Sequence, residues 1–186
     1  MTLNKSLMIS AFCCLLLSQA LFAAEKPVTL SIEAEDFQYK GNRITLVDRA
    51  LCSGKEYLFA GKKGAALPAV TAVNITRAAS YYLWVRARDF DDHPGTRTFA
   101  VAINGQRSKE LFGNSLKDGF NWEPGGSFEL PAGKILLSIH DVSKSYGRVD
   151  SLLLTTDPNL KPKGKLESRE LNGLLRSRYR QEGMLR

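Results

Sequence analysis

The sequence predicts an all-β fold, a jelly-roll β-sandwich, followed by a C-terminal amphipathic helix. Short apolar runs separated by clusters of Gly, Pro, Asn and Asp recur between Val28 and Thr156, a spacing that suits a sandwich or jelly roll. The run YYLWVRARD from Tyr81 alternates apolar and polar residues, as a half-buried strand does. Beyond Lys161 the period changes, and Leu171, Leu174, Leu175 and Tyr179 recur at helical spacing with Arg and Glu between them.

The first element is not part of the sandwich. Lys5 precedes the apolar run LMISAFCCLLL and then SQALFAAEK, the pattern of a secretory signal peptide over residues 1–23 with cleavage after Ala23. The apolar run falls short of the roughly 20 residues that span a bilayer, so no transmembrane span is expected after cleavage. The expected location is secreted or periplasmic.

The sandwich occupies residues 24–160. VTLSIEA is its first strand, AVTAVNI from Ala69 the next, and the Tyr81 run follows. FAVAINGQ from Phe99 runs into Asn104-Gly105, a hairpin signal because both residues tolerate positive φ. GGSFELPAGKILLSIHD supplies two strands around Pro131-Ala132-Gly133, and RVDSLLLTTDP closes the series at Pro158. The tail, residues 161–186, is read as a basic helix; Gly173 within it costs about 1 kcal/mol relative to Ala. It either packs back on the sandwich or docks to a partner, an enzyme or the cell envelope.

Charge separates these parts. Residues 161–186 hold eight Lys and Arg against three Glu, whereas residues 24–160 carry 17 basic and 16 acidic residues. A nucleic-acid binder concentrates basic charge on its folded domain, so no nucleic acid is expected. Cys52 is the one cysteine after residue 23. It excludes an intrachain disulfide in the processed chain and reads as a small buried hydrophobe.

The chemistry-bearing motifs are few. There are two histidines, His93 and His140, and no CxxC, HExxH or GxSxG pattern, which removes the common zinc sites and the hydrolase elbow. The stretch SIEAEDF is unusual, because it puts Glu33 and Glu35 together on one side of a strand, opposite Leu30, Ile32 and Ala34. Two such carboxylates chelate a hard cation such as calcium, which takes six to eight oxygens, or else they are solvated. Asp150 shares parity with Leu152 and Leu154 and is the best third ligand. Arg148 is its alternative partner.

SIEAEDF, YYLWVRARD, VAINGQ and GRVDSLLLT together resemble the galactose-binding-like jelly-roll modules, in particular the carbohydrate-binding modules of families 6 and 35. That resemblance implies a structural calcium held by Glu33, Glu35 and Asp150. LFGNSLKDGFNWEPGGSFELPAGKILLSIHD and SYGRVDSLLLTTDPNLKP also resemble the sandwich domain appended to secreted bacterial FAD-dependent oxidoreductase-like proteins. Phe120 stands where that family has its first tryptophan, and Ser80 where it has a turn glycine. No FAD-binding segment is present in these residues, so the flavin chemistry is not carried over and no FAD is expected. The chain is either a free-standing module or one piece of a split gene.

Sugars stack on aromatic rings while polar groups read their hydroxyls. If Leu83, Val85 and Ala87 face the core, then Tyr82, Trp84, Arg86 and Arg88 face outward, a set suited to an acidic polysaccharide unless the tail covers it. Trp122, in the Gly/Pro-rich stretch DGFNWEPGG, is read as a loop aromatic that either binds ligand or plugs one end of the sandwich. DFDDHPG reads as a solvated acidic loop, and His140-Asp141 as strand-end polar residues. The leading expectation is a non-catalytic carbohydrate-binding module. The alternatives are an accessory protein docked through its tail, and a small carbohydrate-active enzyme using His140 or Asp141.

Overall fold

The structure, a computed structural model, describes residues 25–166 apart from 63, 65, 66, 144 and 145. The proposed signal peptide and residues 167–186 of the tail lie outside the described residues. Residues 161–166 are described and are not helical.

Among the described residues ten strands form, β1 Thr29–Glu33, β2 Ile44–Val47, β3 Glu56–Phe59, β4 Ala69–Ile75, β5 Ala79–Asp89, β6 Phe99–Ile103, β7 Gln106–Arg107, β8 Gly119–Leu130, β9 Gly133–Asp141 and β10 Arg148–Thr155. They make two antiparallel sheets. One runs β2-β3-β10-β5-β8, with β1 also paired to β10; the other runs β4-β9-β6-β7. β3 pairs with the start of β10 and β1 with the rest of it, so two strands share one edge of β10.

Alternation decides what lies between the sheets. Leu83, Val85, Leu152 and Leu154 from one sheet and Val101, Ile103, Leu137 and Ile139 from the other are buried in one cluster. Asn104 and Gly105, both at positive φ, close the β6–β7 hairpin with Ile103 opposite Gln106, as the Asn-Gly pair predicts. Cys52 is buried, as expected, and burial pushes its thiol up.

The stretch read as a loop around Trp122 is instead strand. β8 is the edge of its sheet, and Pro124 is exposed there, a place where a missing N–H costs no ladder bond. Gly125-Gly126 form a bulge, since Ser127 faces Tyr82 while Pro124 faces Trp84. A Cβ at Gly125 would lie 2.6 Å from Leu83 Cδ2 and 2.8 Å from Phe112 Cζ. Gly125→Ala is therefore expected to cost about 1–3 kcal/mol by overpacking, read from urea denaturation. An unchanged midpoint would contradict this packing.

Candidate functional site

An open groove of about 790 Å³ runs along the β8 edge. Its floor is Phe120, Trp122 and Pro124, which face the same way on β8. One wall is the 110–117 loop, with Leu111, Asn114 and Ser115 lining it. The other is Pro162-Lys163-Gly164, the start of the tail. Trp122 Nε1 donates to Gly164 O at 2.9 Å, which orients the indole and ties down that wall. Lys165 Nζ donates to Arg49 O and Ala50 O, and Leu166 is buried. The start of the tail thus packs back on the sandwich without helix.

Buried carboxylates hold the loop wall. Glu123 accepts from Gly113 N at 3.1 Å and Asn114 N at 3.2 Å. Asp89, fully buried, accepts from Phe90 N, Gly95 N and Leu116 N. Asp89 was read as part of a solvated loop; it is the peg on which the 90–95 loop hangs. Asn121 Nδ2 donates to Lys117 O and Gly119 O, both at 3.0 Å. Burial pushes the Glu123 carboxyl up to about 7, the two backbone hydrogen bonds opposing and the nearby Asp89 adding. The folded chain therefore holds this proton more tightly than the unfolded chain. The resulting stability is fully present below pH 4.5 and is lost as pH rises to about 7. Glu123→Gln is expected to gain melting temperature relative to the parent across that window; a constant difference would contradict it.

Of the residues expected to bind ligand, only Trp122 lines the groove. Tyr82 and Trp84 share its face of the sheet and are half-buried, but lie outside the groove lining. Arg86, read as facing outward, is on that face but buried beneath the 48–53 segment. It donates to Leu51 O at 2.9 Å and to Asp150 Oδ2 at 2.6 Å. Arg88 stacks on Phe90 at 4.7 Å and lies 5.8 Å from the Phe120 ring. Phe120 was singled out only as standing in place of a tryptophan, not as a ligand residue, and Glu123 and the 110–117 loop were not singled out from sequence. Alternation from Trp122 back to Phe120 was the available signal.

The expected metal ligands take different positions from those read by parity. β1 ends at Glu33, and Ala34–Asp36 form a 3-10 turn, so Glu35 is not on the strand. The two glutamates still converge: a Cβ at Gly54 would lie 2.2 Å from Glu35 Oε1 and 3.7 Å from Glu33 Oε2. Asp150 does not point into the core. A bulge between Val149 and Ser151 turns it to the face of Arg86. There it also accepts from Ser53 N at 2.9 Å and Ser53 Oγ at 2.8 Å.

Among the described residues, both oxygens of buried Glu33, and Glu35 Oε2, have no hydrogen-bond partner. Burial pushes the Glu33 carboxyl up to about 9, with Asp150, Glu35 and Asp36 adding and Arg86 opposing. Orphaned carboxylate oxygens are what a hard cation would satisfy, so Glu33 and Glu35 fit a calcium. Asp150 is already engaged, and among the described residues no three His, Cys, Asp or Glu side chains stand close enough to form a metal cluster.

His140 lies on the other sheet, 2.9 Å from Ser138 Oγ and away from the groove. No helix among the described residues is long and apolar enough to cross a membrane.

No protein-family profile and no curated protein matches the sequence. Solved structures do match. A family 35 carbohydrate-binding module from Clostridium thermocellum aligns at TM-score 0.52 and 19% identity, over 67% of this chain and 97% of the other. The fold is the galactose-binding-like jelly roll. The C-terminal family 6 module of LamC, a marine laminarinase from Zobellia galactanivorans, matches over its full length and 69% of this chain, at TM-score 0.53 and 14% identity. The Podospora anserina GH26-CBM35 β-(1,4)-mannanase matches at TM-score 0.53 and 21% identity over 72% of this chain. The jelly roll spans only 29% of that enzyme's length.

Proposed function

We propose that this jelly roll is a non-catalytic carbohydrate-binding module, and that a glycan chain lies in the β8 groove against Trp122 and Phe120. The observation that carries this reading is the groove itself. It is open at the surface, floored by two aromatic rings and walled by amide and hydroxyl side chains, Asn114 and Ser115. Such a lining suits a sugar, whose apolar face stacks on a ring while its hydroxyls exchange hydrogen bonds at the rim. The modules with the same fold support it. The buried carboxylate of the groove, Glu123, is engaged by two backbone N–H groups, which supports a role in holding the wall rather than in acid–base chemistry. Secretion or export to the periplasm after removal of residues 1–23 belongs to this reading.

The test is retention of the purified protein on a panel of insoluble or gel-embedded neutral and acidic polysaccharides. Retention on one glycan class is expected. A folded protein retained on none would overturn the reading.

Calcium is the second part of the proposal. Glu33 and Glu35 would hold it, with the Asp150 charge beside them and further oxygens from backbone and water. The ion would supply a structural tie between the end of β1 and the 53–55 segment. Calcium is expected to raise the melting temperature of the parent protein and to leave Glu33→Gln unmoved. A parent protein indifferent to both calcium and chelator would contradict the site.

A further inference from the structure

One cluster beside the groove is used by nothing above. Phe90 carries three guanidinium groups around its ring, with Cζ atoms at 3.8 Å for Arg97, 4.6 Å for Arg148 and 4.7 Å for Arg88. Arg148 also stacks on Phe59 at 4.6 Å, and Arg97 lies 6.0 Å from the Tyr146 ring. The three come from separate places in the chain. Arg88 is the last residue but one of β5, Arg97 follows the loop that Asp89 pins, and Arg148 opens β10. All of them, and Phe90, are half-buried.

Like charges gathered on one ring repel, and cation–π contacts return only about 0.5–1 kcal/mol each at partly exposed sites. Counter-charge among the described residues is scant. Among the described residues, neither Arg88 nor Arg148 has a carboxylate within ion-pair distance. Arg97 has only the exposed Asp92, at 3.8 Å, itself bonded to His93. Asp89 is occupied by backbone N–H groups. Arg88 Nε is buried with no hydrogen-bond partner among the described residues. The Arg148 guanidinium is depressed first by burial, with Arg97 and Arg88 adding and Tyr57 opposing.

We infer that this three-arginine cluster is an anion subsite continuous with the groove, taking the carboxylate or sulfate group of an acidic glycan. The guanidinium fork matches both oxyanions, and the half-exposed rings beside it suit the apolar face of the sugar that carries them. Continuity rests on Phe120, which floors the groove and lies 5.8 Å from the Arg88 guanidinium. The inference rests on the glycan-binding reading and narrows its ligand class to acidic polysaccharides.

The experiment measures binding of the protein to four probes at low and high salt: a neutral galactan, a uronic-acid polymer, a sulfated galactan and single-stranded DNA. Arg97→Gln and Arg148→Gln are compared with the parent, and their melting temperatures are recorded. Arg97→Gln serves where Arg148→Gln disturbs β10. One charge-assisted contact is worth about tenfold in affinity. Each variant is expected to weaken the acidic probe about tenfold while the neutral probe stays within about twofold. Salt should weaken acidic binding in the parent more than in the variants. The stronger acidic probe tells carboxylate from sulfate. Equal binding of neutral and acidic glycans, unmoved by either variant, would overturn the anion subsite alone. Binding of DNA in place of glycan would overturn both readings; binding of no probe would overturn the anion subsite, and retention on none of the wider polysaccharide panel would overturn the glycan reading with it.

Discussion

Asp150→Ala is expected to destabilise the fold by about 3–5 kcal/mol, the range for removing one partner of a buried ion pair. Asp150 is fully buried and the Arg86 side chain is 7% exposed, at 2.6 Å. Truncation strands the guanidinium with only Leu51 O as acceptor among the described residues and strips Ser53 of the carboxylate it bonds through both N and Oγ. Among the described residues, the 48–53 segment then keeps only the 3.4 Å contact between the Ser53 and Ser151 hydroxyls as a side-chain tie to β10. A second change separates lost packing from stranded charge. Combining Asp150→Leu with Arg86→Met should recover much of the loss, since an apolar pair of similar volume is often neutral or better. Urea denaturation reads both. A loss below about 1 kcal/mol for Asp150→Ala would show that water reaches the pair.

Trp122→Ala is expected to weaken glycan binding by about thirtyfold, roughly 2 kcal/mol, the threshold of an anchoring aromatic. Two effects combine: the stacking surface disappears, and the Nε1 bond to Gly164 that holds the groove wall goes with it. Trp122→Phe keeps a ring without the donor and should sit between parent and Ala variant. Because Trp122 lies on an edge strand and is only half-buried, the melting temperature should change far less than the affinity. Binding by Trp122→Ala equal to that of the parent would remove the groove as the glycan site.

The strands were legible where alternation is strong. β4, β5, β6 and β9 follow directly from apolar residues two apart. β2, Ile44–Val47, and β3, Glu56–Phe59, were not read, because four-residue strands carry too little pattern and the ends of β2 are exposed. β7 is two exposed residues defined by its hairpin. At the sites, parity failed at two irregularities that no alternation rule contains. The bulge before Ser151 moved Asp150 to the other face, and the 3-10 turn carried Glu35 off its strand. Gly125-Gly126 and Pro124 look like a turn in sequence, yet form a bulge and an edge. Arg86 follows alternation correctly, facing away from the core. What buries it is a segment about 35 residues earlier, a long-range contact invisible to local pattern. The arginine cluster around Phe90 likewise assembles from three separate segments, and only the fold brings them together.

The most direct test of the central claim reads the indole itself. The chain has two tryptophans, Trp84 and Trp122, so Trp84→Phe leaves fluorescence from Trp122 alone. An oligosaccharide of whichever glycan class retains the protein is titrated into the Trp84→Phe and Trp122→Phe variants. A glycan seated in the β8 groove predicts a saturable change in emission in Trp84→Phe and none in Trp122→Phe. A change that follows Trp84 instead would contradict it, and would move the glycan off the groove onto the face of β5.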